Sequence, residues 1–436
     1  MKRRPFLGTA LGTGALLAGT NSCSRQSETS QNRQPSDTIG KLAGYTLEEL
    51  RELYRKDLFE EFLPFVDAYV IDHEYGGFIC SVDREGVRLK TDKSTWNQGR
   101  GIWMLSFLYN NIDPNPKWLE ASRKSVDFIL KTKPSDDTLW HKQFNRDGTP
   151  IGEPDTVVYS DLFVANGLQE FSQAGGEEYW DMAKEIMLKC IDIYDNRPNY
   201  GSQYTPGVSR PRSFSHWFQI GRMAMQMLEK RADPEVQAVV DRCIDAVMNA
   251  HYNPEFRLMT EYVNHDLSHI DSDYGQNITT HAQEVLWLVM QEAVRKGDRQ
   301  LFDTAVERFK RHVEVLWDDV YGGLMTLRHV DDNRWNTNKP LWLQVEVLFG
   351  TMTLIELTGD QWAKEWFTKM YTWFRDKYYL KKHGLPLWMI GGDRKLTFNP
   401  KATRVGIFQQ PRHLMLNILA LDRIIANGGK TIGVFQ

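Results

Sequence analysis

Lys93-Ser94-Thr95-Trp96-Asn97-Gln98-Gly99-Arg100-Gly101-Ile102-Trp103 decides the fold, because passages of its kind return along the chain. A polar turn runs into a helix with a 3.6-residue apolar stripe. Equivalent starts recur near Val157, Phe214, Thr279, Leu341 and Gln409, a period of about 60 residues. Between neighbours lies a second, more amphipathic helix, as at Lys117–Lys131, Glu178–Tyr194 and Arg299–Trp317. Six such pairs predict twelve helices, and six hairpins of similar length close into a ring whose inner helix starts converge on one concave mouth.

Ahead of the quoted stretch, residues 46–69 carry Leu47, Leu50, Tyr54, Leu58, Phe62 and Phe65 on one helical stripe. Tyr75-Gly76-Gly77-Phe78 and Asp83-Arg84-Glu85-Gly86 follow, and the phrase returns as Tyr321-Gly322-Gly323-Leu324 with Asp331-Asp332. Asn145-Arg146-Asp147-Gly148 and Gly391-Gly392-Asp393-Arg394 are weaker echoes. Each predicts a short β-hairpin at the mouth end of the ring, with Asp, Asn and Gly supplying the turns.

The 436 residues are 41% hydrophobic and 25% charged, ample for a core, and the uniform repeat makes residues 43–430 one domain rather than several. A net charge of -4 gives no electrostatic case for nucleic acid. Fourteen Trp and seventeen Tyr serve packing between helix layers, and they also suit a carbohydrate site, where rings stack on the apolar faces of sugars. Cys80, Cys190 and Cys243 are too few and too scattered for a disulfide framework or a zinc site, and read as buried small apolar residues.

The amino terminus stands apart from this pattern. Arg3-Arg4 before the mildly apolar run Phe6–Gly19 predicts a twin-arginine export signal over residues 1–23, directing the chain to the periplasm or cell surface. Cys23 after Thr20-Asn21-Ser22 is a candidate lipid-anchored cysteine. Thr20 stands where such signals carry Leu, so anchored and unanchored forms both stay open. Residues 24–42, rich in Ser, Gln and Asn, predict a disordered tether.

Five groups of residues at the inner helix starts have chemistry to offer. Trp96, Arg100 and Trp103 share one face of the first, so the guanidinium is set either for an oxyanion or for an internal carboxylate such as Asp161 or Glu346. His281 and Glu284 are three apart in Thr279-Thr280-His281-Ala282-Gln283-Glu284, which predicts that the carboxylate orients or tunes the imidazole. Two ligands without a third make no metal site. Trp342 and Glu346 pair an aromatic with an ionisable group in the fifth repeat, His216 opens the third, and Gln409, Arg412 and His413 open the sixth. Trp388, just upstream, joins Trp96, Trp103 and Trp342 as rings expected against a sugar, with Glu346 and Gln409 as its polar contacts. No phosphate loop, Ser–His–Asp signature or Cys/His cluster competes.

At these residues the chain resembles the N-acylglucosamine 2-epimerase family, which includes renin-binding protein, cellobiose 2-epimerases and aldose–ketose isomerases. Trp96-x-Gln98-Gly99-Arg100-x-x-Trp103 is close to the family's first motif. His281-x-x-Glu284 matches its His-x-x-Glu, with Thr279-Thr280 in place of Pro-Gly, and Lys339-x-x-Trp342-x-x-x-Glu346 matches a third segment. The resemblance covers about residues 45–428. It implies an all-α (α/α)6 barrel with short β-hairpins at one end, a free reducing sugar as substrate, and chemistry without a cofactor. It further implies proton removal at C2 to give an enediolate, with His281 as one proton carrier and Arg100 stabilising the anion. Members carry a second histidine in Phe-His-x-Pro-Arg, and here Phe408-Gln409-Gln410-Pro411-Arg412 puts Gln409 at that place.

Glutamine exchanges no proton near neutral pH, so three outcomes stay open. His216 or His413 completes a two-base 2-epimerase, one base shuttles a proton from C2 to C1 as in aldose–ketose isomerisation, or the site binds sugar without turnover. A barrel glycoside hydrolase using Glu284, Glu346 or Asp161 is a further alternative on fold analogy. N-acetylglucosamine, glucose, mannose and disaccharides all remain candidate substrates. The oligomeric state is open, a homodimer included.

Overall fold

A computed structural model describes residues 38–196, 211–271, 273–380, 383–392 and 404–435. Twelve principal helices alternate between an outer and an inner layer. They are α1 Leu47–Lys56 (outer), α2 Thr95–Asn111 (inner), α3 Pro116–Lys131, α4 Tyr159–Gly175, α5 Glu178–Asn196 and α6 Phe214–Lys230. Then come α7 Pro234–Asp245, α8 Ala282–Lys296, α9 Arg299–Leu316, α10 Leu341–Thr358, α11 Gln361–Tyr378 and α12 Gln409–Ala426. α1 runs on through wide π turns to Val70, and α7 to Ala250. The ring closes where α12 meets α2 on the inside and α1 behind it, helped by Arg51 Nη1 to Asp422 Oδ1 at 3.1 Å.

The layer of each helix follows from its apolar pattern. α9 buries one stripe only, Phe302, Ala305, Phe309, Val313 and Leu316, and leaves the opposite face to water. α10 is apolar all round and buries its surface from Leu341 to Leu357 with the exception of Trp342, as a helix walled in on every side must. That stretch is the one helix among the described residues long and apolar enough to cross a membrane, and 89% of it is buried inside the barrel. Helix ends are set locally: Thr46 and Glu49 form a reciprocal cap on α1, and Gly297 and Gly359 take left-handed conformations just past α8 and α10.

The body begins earlier than the sequence suggests. Lys41–Leu42 pairs with Tyr45–Thr46, Ile39 and Leu42 are buried, and the Ile39 amide donates to Gly429 O at 2.8 Å. Residues 38–42, expected in the tether, are therefore part of the barrel, because apolar Ile39 and Leu42 have a ready seat beside the end of α12. The expected export signal, Cys23 and the rest of the tether lie outside the described residues.

Short strands stitch the mouth. The strand before an inner helix pairs with one after the next outer helix in every second repeat: Lys93–Ser94 with His141–Phe144, Arg212–Ser213 with Tyr262–Val263, and Lys339–Pro340 with Met389–Ile390. Asn145–Gly148 turns a true hairpin, and so do Asp331 and Asp332. The Gly-Gly phrases are tighter than hairpins, closed by single bridges at Ile71–Phe78 and Trp317–Leu324. Asp393 and Arg394 fall outside the described residues.

Those two phrases are copies of one clasp. Asp72 N donates to Gly77 O at 2.9 Å and Gly76 N to Asp72 O at 2.8 Å; Asp318, Gly322 and Gly323 repeat both bonds at 2.9 and 2.8 Å. A buried lysine, Lys93 or Lys339, pairs with the aspartate at 3.0 or 2.6 Å. A buried glutamine from the inner helix, Gln98 or Gln344, accepts from the amide of Phe78 or Leu324 at 2.7 or 2.8 Å and returns a bond to its carbonyl. Glycine is required here: φ is +79° at Gly323, and a Cβ would lie 2.1 Å from the Trp373 ring. Lys339, which the family resemblance singles out, is thus a structural anchor rather than a wall of the mouth.

Candidate active site

The inner helix starts converge on a cavity of about 300 Å3. Every inner helix contributes to its wall: Trp96 and Arg100 from α2, Tyr159 and Phe163 from α4, Phe218 from α6, Glu284 from α8 with His281 just before it, Trp342 from α10, and Gln409 from α12. Trp388 and Arg404 complete it from the connection between α11 and α12.

His281 sits at the N-terminal boundary of α8, its ring stacked on Trp342 (5.2 Å, 15°) and more loosely on Phe218 (6.0 Å, 26°). Its Nδ1 lies 3.3 Å from Oε2 of Glu261. Glu261 also accepts from the hydroxyls of Ser213 at 2.7 Å and Thr279 at 2.5 Å. Burial alone would raise the Glu261 carboxyl, but His281 and these hydroxyls outweigh it and hold it down at about 2. An ionised carboxylate only accepts, so Nδ1 carries the proton toward it and Nε2 is left to face a ligand. Burial would lower the imidazole, but Glu261 prevails and raises it above its ordinary value. The expected partner, Glu284, adds its charge to this lift, while its bonds go to two arginines.

Glu284 Oε1 accepts from Arg412 Nη2 at 2.6 Å and Arg222 Nη1 at 3.2 Å. Burial opposes ionisation there, yet these two arginines keep the carboxyl below its usual range. Arg412 also binds Glu346, whose other oxygen accepts from Trp287 Nε1 at 3.0 Å. Burial, reinforced by Glu284, outweighs Arg412 and lifts Glu346 to about 7. Glu346, expected to touch substrate, does not line the cavity; it is buried with its oxygens taken by Arg412 and Trp287. Among the described residues one carboxylate lines the wall and Asp161 is turned toward the Trp140 amide (3.3 Å), so they do not assemble the acid–base pair of a glycoside hydrolase.

Arg100 is buried in an aromatic cage, its guanidinium carbon 4.3 Å from the Trp96 ring, 4.3 Å from Phe163 and 5.1 Å from Phe408. No carboxylate pairs with it among the described residues; Asp161 and Glu346, the candidate internal partners, are engaged elsewhere. Burial, with Arg404 and Arg222 nearby, drives its pKa well below normal, as befits a cation without a counter-ion.

Three other expected residues stand back from the cavity. Trp103 is fully buried beneath it against Phe107 (4.8 Å) and Phe408 (5.1 Å), because a residue three positions on from Arg100 points a turn deeper. His413 faces the outer layer, edge-on to Tyr54 (5.9 Å) and Phe374 (6.1 Å), with Nδ1 2.7 Å from Gln410 O, and burial lowers it to about 3. One helical turn past Gln409 therefore does not bring it into the same space. His216 stacks on Tyr194 (5.0 Å, 14°) behind the wall residue Tyr159 (5.6 Å). Both its ring nitrogens are buried without a hydrogen-bond partner among the described residues, and burial lowers it to about 4.

Tyr159 and Phe163 carried a signal, an (i, i+4) aromatic pair opening the second inner helix, and so did Arg222 as a charge within an apolar run. Glu261 and Arg404 lie in connections without any sequence period.

Comparison with known proteins bears on this geometry. The family model for N-acylglucosamine 2-epimerase (GlcNAc 2-epimerase) matches residues 56–403. N-acylglucosamine 2-epimerase of Bos taurus is 24% identical over 399 residues, covering 85% of this chain and 92% of that protein. The structure of cellobiose 2-epimerase from Spirochaeta thermophila DSM 6192 superposes with a TM-score of 0.73 at 16% identity, covering 87% of this chain and 98% of that one. A D-mannose isomerase structure gives 0.69 at 15% identity, covering 86% and 97%. Twelve helices in two layers, inner starts around one cavity and the family match agree: this chain is an (α/α)6 barrel and belongs to the N-acylglucosamine 2-epimerase family of sugar epimerases and isomerases.

Proposed function

We propose that the chain converts a free reducing sugar through an enediolate, with His281 moving the C2 proton and Arg100 holding the developing oxyanion. The observation that carries this reading is the guanidinium of Arg100, buried among rings without a carboxylate in a cavity that also holds a Glu261-backed imidazole. Keeping an unpaired cation buried costs stability, and such a group is worth keeping where negative charge appears in a transition state. In the open-chain aldose, Nε2 takes the C2 proton, the C–H electrons form the C1–C2 double bond, and the carbonyl electrons move onto O1 beside the arginine. No cofactor takes part in this scheme.

The enediolate has two fates. Return of the proton to C1 on the same face, with the O2 hydroxyl proton passing to O1 as C2 becomes the carbonyl, gives a ketose, whereas delivery to C2 from the opposite face gives the epimer. Gln409 in the wall and His216 behind Tyr159 leave His281 the one imidazole lining the cavity among the described residues, which favours the ketose. Incubation in heavy water with a panel of reducing sugars, followed by NMR, tests the scheme. We expect deuterium at C2 of the recovered aldose or C1 of a ketose, lost in His281→Ala. A sugar that binds without exchange would sink it, and epimer without ketose would shift the second proton to His216. Gln409→His is expected to keep the fold and to create or raise epimerisation. We further propose export through Arg3-Arg4; retention of an Arg3→Lys/Arg4→Lys variant in the cytoplasmic fraction would support it, and unchanged fractionation would refute it.

A further inference from the structure

The scheme above uses one of two wall guanidiniums that meet no carboxylate among the described residues. The second, Arg404, lies on the same wall with its carbon 4.6 Å from the Trp388 ring, and no carboxylate pairs with it among the described residues. Among the described residues the wall's permanent charges are Arg100 and Arg404 against Glu284, since His281 acts as the neutral base and has the Glu261 carboxylate behind it, and the accepting oxygen of Glu284 is already shared by Arg412 and Arg222. The cavity is therefore left with an excess of positive charge. A neutral sugar gives no return for gathering two like charges over one small space, whereas an anion relieves their repulsion and the burial of Arg100.

Arg404 is held there by a built scaffold. Buried Arg84 donates from Nη1 to Arg404 O at 3.2 Å and from Nη2 to Pro386 O at 2.6 Å, tying both ends of the connection to the first turn. The Val405 amide donates to Cys80 O at 3.1 Å, and the Leu341 amide to Trp388 O at 2.9 Å. Gly406 lets the indole of Trp388 lie flat against the chain, where a Cβ would sit 2.5 Å from the ring. Ring and guanidinium are thus presented together to the cavity, the ring for an apolar sugar face and the cation for a charged group on it.

We propose that the sugar converted at this site carries an anionic substituent remote from C2, a carboxylate or a phosphate ester, which pairs with Arg404. The inference rests on the reading of the cavity as a sugar site with C2 chemistry, and it narrows the substrate class.

The test compares D-glucuronate, D-galacturonate and D-glucose 6-phosphate with D-glucose, D-galactose, D-mannose and N-acetyl-D-glucosamine, using the full-length protein and C2 deuteration in heavy water. At least one anionic sugar is expected to exceed its neutral parent in kcat/KM by on the order of tenfold or more, mainly through KM. A response to the uronates identifies a carboxylate, and a response to the 6-phosphate a phosphate ester. Arg404→Gln should collapse that preference and Arg404→Lys restore part of it. Neutral parents that react as well as or better than the anionic sugars would overturn the proposal. So would an Arg404→Gln variant that lowers both classes equally, with no rescue by lysine. If no sugar exchanges at C2, the catalytic scheme fails, and calorimetry decides the present point on its own. Uronate or 6-phosphate binding weakened by Arg404→Gln supports the anion site, and binding equal in both proteins, or none, refutes it.

Discussion

Replacing Glu261 by glutamine removes one charge and leaves the shape and the acceptor facing His281 Nδ1 in place. At 3.3 Å the two unit charges attract by about 1.3 kcal/mol if the medium is water and about 5 kcal/mol at an effective dielectric of 20. The side chains are 26% and 18% exposed, so solvent screens the pair and the lower figure is the safer floor. That floor is about a tenfold change in proton affinity of the imidazole. The carboxylate holds His281 up, and the base acts in its neutral form. Without the charge, the neutral ring persists to lower pH, so the acidic limb of the kcat/KM profile should move down by about one pH unit or more. The plateau should fall as well, because a weaker base takes the C2 proton less readily. The measurements are C2 exchange against pH and an NMR titration of the His281 ring in both proteins. An acidic limb that stays in place, or moves up, would refute the assignment of Glu261 as the positioning carboxylate.

Arg100→Met should abolish exchange yet raise the melting temperature, because a buried cation without a counter-ion gives way to an apolar chain among three rings; a variant less stable than the parent would contradict the unpaired state. Gly323→Ala should cost about 1–3 kcal/mol in urea unfolding, from its positive φ and the contact with Trp373; an unchanged midpoint would show that the clasp relaxes freely. His413→Phe should leave turnover within about threefold with the pH profile unmoved, since the ring packs between Tyr54 and Phe374 away from the cavity; loss of exchange in a folded variant would return His413 to the mechanism.

The ring was legible because inner helices read as long apolar runs, and a period near Trp96, Phe214, Leu341 and Gln409 survives any local detail. Two inner helices start late, at Tyr159 rather than Val157 and at Ala282 rather than Thr279, whose hydroxyl bonds Glu261 ahead of the helix. Arg100, His281 and Trp342 could be placed because they stand near the convergent starts of inner helices, whereas Trp103 and Glu346, a turn further along the same faces, lie deeper. Glu261 could not. Its meeting with His281 depends on the pairing of Arg212–Ser213 with Tyr262–Val263, a long-range register that no helical period encodes. Glu284 was half legible: three residues along a helix brought its charge near enough to help raise His281, but Arg412 and Arg222 took its bonds.

The doubled clasp bears on how much work is left for a ligand. Gln98 precedes Arg100 by two residues and Gln344 follows Trp342 by two, so the bonds that fasten each glycine turn also fix the backbone carrying a wall residue. Both anchors lie wholly inside the protein and touch nothing a sugar would touch. The entropy of aiming Arg100 and Trp342 is therefore spent during folding, and an incoming sugar meets groups already at rest. A chain loosened at either clasp would keep every residue that touches the sugar and still bind it more weakly, each encounter having to order the wall afresh.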